Sequence, residues 1–127
     1  MAVVLVVDDE DQVRALAESI LQDLGHQTLS AATADQALAL IRTEQSIALL
    51  FTEINLADDV AACLVHPGLE LAQHALRLRP KLRVLYTTSA DITDGMKALF
   101  IKGSDFLAKP YDINQLSAKV AEMVSGK

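Results

Sequence analysis

Val3-Val4-Leu5-Val6-Val7-Asp8-Asp9 decides how this chain is read: five apolar residues run straight into two carboxylates. A uniformly apolar, β-branched run predicts a strand buried on both faces, as in a parallel sheet covered by helices. Two acids at its end are costly to desolvate unless a cation or strong donors answer them. The stretch therefore points to an α/β fold with a polar site at the carboxyl end of its sheet.

Outward from it, β-rich runs alternate with helix-period segments five times, the pattern of parallel strands joined by crossover helices. Asp11 to Leu24 predicts a helix with Val13, Leu16, Ile20 and Leu24 on one face, and Gly25 follows where a helix C-terminus favours glycine. Gln27 to Ser30 is a short second strand, and Thr33 with Gln36 forms a capping pair opening a second helix. Ile47 to Thr52 is the third strand, Gly68 to Leu78 the third helix, and Arg83 to Thr87 the fourth strand. A fourth helix is expected over Asp94 to Lys102 and a fifth strand over Phe106 to Ala108. Asp112 and Gln115 cap a last helix, with Ile113, Leu116, Val120 and Met123 expected inward.

A chain of 127 residues with 51% apolar and 22% charged residues fits one domain over 1–127. No apolar run reaches the ~20 residues a membrane helix needs, the start lacks a signal-peptide pattern, and the lone Cys63 forms no internal disulfide. Cytoplasmic residence is the resulting expectation. The net charge of −6 argues against direct nucleic-acid contact. One connection is long: Ile54 to Pro67 spans fourteen residues, where such links usually take about two to six.

In an open parallel sheet, ligands bind beyond the carboxyl ends of the strands. Asp8 and Asp9, Glu53, Thr88 and Lys109 all map to that edge. Singly, each has an ordinary reading: Asp9 as a helix cap, Thr88 as a strand end, Lys109-Pro110 as a loop pair. Together and in this order, they resemble the receiver domain of bacterial two-component response regulators, the CheY-like family, from Val3 to the last helix. The resemblance implies a flavodoxin-like (βα)5 three-layer sandwich with a five-stranded parallel sheet of order 2-1-3-4-5. It also implies a phospho-accepting aspartate where this chain has Glu53, and a cis Lys109-Pro110 bond. Asp9, the Glu53 carboxylate and the Asn55 carbonyl would hold Mg²⁺, with Asp8 holding a metal-bound water. Lys109 and Thr88 would contact the phosphoryl group, and Phe106 matches the aromatic switch position.

Glu53 departs from that pattern by one methylene, about a bond length of extra reach. Three outcomes stay open: an active-state mimic paired with Lys109 and Thr88, a silent scaffold, or a site that still accepts phosphate on Glu53 or Asp58. The resemblance implies a stand-alone module, not an enzyme, acting through its fourth helix, fifth strand and fifth helix. Its partners would be a histidine kinase, a phosphotransfer protein, a downstream target or a second copy through that same surface. A flavin or nucleotide carrier would need a Gly/Ser/Thr-rich loop after the first strand, where this chain has Asp8-Asp9-Glu10-Asp11. A Mg²⁺-dependent phosphohydrolase would need an Asp-x-Asp motif and a cap domain, which the chain lacks. His26, His66 and His74 share no metal-ligand spacing.

Overall fold

The structure, a computed structural model, describes residues 2–56, 67–89 and 91–124. Ten elements alternate along the chain: β1 (Val3–Val7), α1 (Asp11–Asp23), β2 (Gln27–Ala31), α2 (Ala34–Thr43), β3 (Ile47–Glu53), α3 (Pro67–Leu78), β4 (Arg83–Thr88), α4 (Asp94–Ala98), β5 (Asp105–Ala108) and α5 (Ile113–Val124). All strand pairs are parallel and the order is β2-β1-β3-β4-β5. The alternating side-chain directions of the strands build two cores. Leu5, Val7, Leu50 and Tyr86 join the core that includes Ala37, Ile41, Leu71 and Ala75 from α2 and α3. Val4, Val6, Leu49, Phe51 and Leu85 join the opposite one, with Ala17 and Leu21 of α1 and Leu116 and Val120 of α5. Each large side chain so buried contributes about 1.5–3 kcal/mol before the entropy of ordering it.

Three expectations are corrected. Helix α1 buries Ala17, Ile20 and Leu21, while Leu16 and Leu24 are 52% and 46% exposed. The small Ala17 lets the helix approach closely, so the packed stripe turns away from the largest side chains. Ile113 faces outward at 61% exposure, in the first turn of α5. Helix α4 ends at Ala98 because the Ile101 N–H donates to the Tyr86 hydroxyl (3.3 Å) and the Phe100 ring lies 4.4 Å from that of Tyr86. Those contacts turn the chain out of the helix before Lys102.

The capping signals are real. Thr33 Oγ1 accepts from the Gln36 N–H (3.1 Å), and Asp112 and Gln115 exchange a reciprocal pair of bonds at 2.8 and 2.9 Å. Gly25 takes φ +92, which suits glycine after a helix. Just beyond α3, Arg79 Nη2 donates to the carbonyls of Ile41 and Glu44, and Nη1 to that of Gln45. It thereby supplies donors to the unsatisfied end of α2, a neighbour distant in sequence.

Candidate phosphorylation pocket

Parallel strands place their carboxyl ends at one edge, and this edge gathers Asp8, Glu53, Thr88 and Lys109. Lys109 is the hub. Its ammonium lies 2.8 Å from Asp8 Oδ2 and 2.7 Å from Glu53 Oε1, with Glu10 further out at 3.8 Å. The side chains of Lys109, Asp8 and Glu53 are only 9%, 3% and 7% exposed, so these are close, largely desolvated contacts. Burial works to lower the Lys109 pKa, but bonds to Asp8 and Glu53 outweigh it and hold the ammonium well above the usual lysine range.

The second oxygens of both carboxylates are also engaged. Asp8 Oδ1 accepts from the Glu10 N–H (3.0 Å), and Glu53 Oε2 accepts from the Asn55 N–H (2.9 Å). Thr88 is buried, and its Oγ1 accepts from the Asn55 side-chain amide at 3.4 Å. The Asp8 carbonyl takes a 2.7 Å bond from Arg14, whose other nitrogen pairs with Asp11 at 2.6 Å. The Lys109-Pro110 bond is cis.

The sequence-derived residues thus fall into two sets. Asp8, Glu53 and Lys109 meet directly, and Asn55 links Glu53 to Thr88. Asp9 is half-exposed, and helix α1 is capped at Glu10 with no side-chain bond, so Asp9 is not that cap. Phe106 stands apart, half-buried, its ring 6.4 Å from Phe100. Asp58, Asp59, Cys63 and His66 lie outside the described residues, as does most of the long connection.

The implied Mg²⁺ meets a poor donor set in this arrangement. All four oxygens of Asp8 and Glu53 already have protein donors, and among the described residues no three His, Cys, Asp or Glu side chains cluster to hold a metal. Asp9, half-exposed, and the Asn55 carbonyl are the other implied ligands, and a divalent ion on Asp8 or Glu53 would compete with Lys109 and the backbone amides for their oxygens. No step below runs through it.

Two residues beyond those singled out from the sequence shape the pocket. Tyr111, two positions past Lys109, packs its ring 5.7 Å from Phe51, and burial pushes its hydroxyl up to about 12, with the charge of Asp8 adding to the effect. Gly68 donates its N–H to the Ile54 carbonyl (2.7 Å), and a Cβ there would collide with the Glu53 carbonyl oxygen. The start of α3 therefore lies directly against the backbone that carries Glu53. An aromatic residue shortly after a strand-end lysine was a readable signal for Tyr111; nothing local marked Gly68.

Comparison with known proteins agrees with this fold. The family model described as the response regulator receiver domain matches residues 4–121. Response regulator protein PilR of Pseudomonas aeruginosa is 31% identical over 118 residues, covering 92% of this chain and 25% of that protein. The chain likewise spans about half, 47%, of a probable transcriptional regulator, ycf27, of Porphyridium aerugineum, with 27% identity over 124 residues and 95% of this chain covered. Among solved structures, the receiver domain of NtrX from Brucella abortus superposes with TM-score 0.83 at 30% identity, covering 98% of this chain and 99% of that one. A CheY-like receiver domain protein from Methanospirillum hungatei JF-1 gives TM-score 0.86 at 26% identity over 98% and 94% of the two chains. With the sheet order, the strand-end pocket and a family match over nearly its whole length in agreement, the chain belongs to the response regulator receiver domain family.

Proposed function

We propose that this receiver acts by protein contact in one phosphate-independent, active-like state, with Glu53 standing in for a phosphorylated aspartate. The observation that carries the reading is the bidentate use of Glu53: Oε1 on Lys109 at 2.7 Å and Oε2 on the Asn55 amide at 2.9 Å. Phosphoryl transfer rests on in-line positioning and on cations free to meet the incoming charge. Here the cation is already shared by two carboxylates, and the longer side chain fills space near the acceptor position. A displacement of about 1 Å can cost on the order of a hundredfold in rate. A buried Thr88 favours the active-like form over a silent scaffold, and the half-buried Phe106 favours neither.

Receiver domains interact with histidine kinases and downstream effector domains. For this chain the contact surface is proposed to be α4, β5 and α5, where Leu99 and Ile113 stand 44% and 61% exposed beside the Lys119–Asp105 pair at 3.0 Å. The reading is tested by backbone NMR of Glu53→Ala. Active-like bias by Glu53 requires amide resonances to move at Thr88 and along Phe106 and α4. Changes confined to the immediate neighbours of residue 53 would instead favour the silent scaffold.

A further inference from the structure

We propose that the opposite edge of the sheet, at the amino ends of β3 and β4, is a docking surface for an acidic, amphipathic segment of a partner protein. The chain is acidic overall, yet Arg77, Arg79, Lys81 and Arg83 fall within seven residues that contain no acid. Arg79 is used internally, on the carbonyls at the end of α2. The others are not. Lys81 and Lys102 are exposed and Arg83 half-exposed, and among the described residues none of the three has a hydrogen-bond or ion-pair partner.

These cations rim two adjoining depressions of about 540 and 560 Å³ that share the Pro80–Arg83 turn. Among the described residues, neither is lined by an aspartate or glutamate. Their apolar lining includes Ile47, Leu82 and Met123 on one side and Leu76 and Ile101 on the other. Apolar hollows with a cationic rim suit a segment that brings apolar anchors flanked by carboxylates: the anchors supply affinity, the charges orientation and on-rate. A nucleic-acid backbone brings no apolar anchors, and the net charge of −6 opposes it.

Glu44, exposed beside Gln45 and Ser46, also lies at this edge, while the acidic cluster around Lys109 lies at the other. Strand β3 has seven residues. At ~3.3 Å per residue it separates the two edges by roughly 20 Å, more than two Debye lengths at physiological salt. Docking here is expected to depend only weakly on Glu53.

The test uses the full chain and a fluorescein-labelled helical peptide with leucines at i, i+3, i+4 and i+7 and glutamates elsewhere, followed by anisotropy at about 0.15 M salt. Saturable binding is expected, weakened at least tenfold in Lys81→Glu/Arg83→Glu/Lys102→Glu and by leucine-to-serine changes in the peptide. Lys97→Glu, an exposed cation on α4, should leave it within twofold. Lys81→Ser/Lys102→Ser removes only exposed, unbonded cations and should weaken binding severalfold with an unchanged thermal melt. The proposal is overturned by no saturable binding, by equal loss in Lys97→Glu, by a DNA duplex of equal charge competing as well as unlabelled peptide, or by sedimentation showing that the edge joins two copies of the chain.

Discussion

The two edges of one sheet treat charge in opposite ways. At the carboxyl edge, Lys109, Asp8 and Glu53 are nearly buried and satisfy one another, with backbone amides completing the set. At the amino edge, Lys81, Arg83 and Lys102 face solvent without partners among the described residues, and only Arg79 is engaged. Desolvated charge is tied to the fold, because removing one partner strands the other. Solvated charge is free to serve a ligand, because the fold does not depend on it. A receiver carrying both has one edge set internally and another open to contact.

The sharpest way to break this contrast is at Lys109. Lys109→Met leaves Asp8 and Glu53 facing each other without their cation, a loss of about 3 kcal/mol or more by urea denaturation at pH 7. An unchanged midpoint would mean that the Lys109 contacts do not hold this edge together. Arg79 provides the matching test at the other end. Arg79→Met loses three bonds to the carbonyls of Ile41, Glu44 and Gln45 and should cost about 2 kcal/mol. That result would separate the engaged cation from its neighbours, since Lys81→Ser/Lys102→Ser should stay within about 1 kcal/mol of the parent.

A smaller effect appears at high pH. The Tyr111 hydroxyl and the Lys109 ammonium both hold their protons more tightly in the folded chain than in the unfolded one. The Tyr111 contribution is therefore complete below about pH 10 and is lost as the pH rises through roughly 10 to 12, and that of Lys109 is lost over a higher range. Denaturation midpoints at pH 8, 10 and 11 should fall for the parent and fall less steeply for Tyr111→Phe. Equal slopes would remove Tyr111 from the pocket's electrostatics.

Much of the first edge was legible in the sequence, and little of the second was. Val3–Val7 running into Asp8 fixes a strand and an acidic site together, because burial and charge are both local signals. Strand-end positions for Glu53, Thr88 and Lys109 follow from the same alternation. The face of α1 was misread because large apolar residues outweigh Ala17 in a periodicity argument, although the small residue permits the close approach. The length of α4 was misread because the Tyr86 hydroxyl that takes the Ile101 N–H comes from a strand fifteen residues earlier. Arg79 and Gly68 act on partners that only the folded chain brings near, so no spacing rule finds them.

The central claim is that Glu53 holds Lys109 and removes phosphoryl control. It is tested most directly by incubating the parent and Glu53→Asp with Mg²⁺ and acetyl phosphate and recording intact mass. The account predicts that Glu53→Asp gains one phosphoryl group while the parent stays at its unmodified mass. Equal gain by the parent would contradict it, and would return this pocket to ordinary phosphoryl control despite its glutamate.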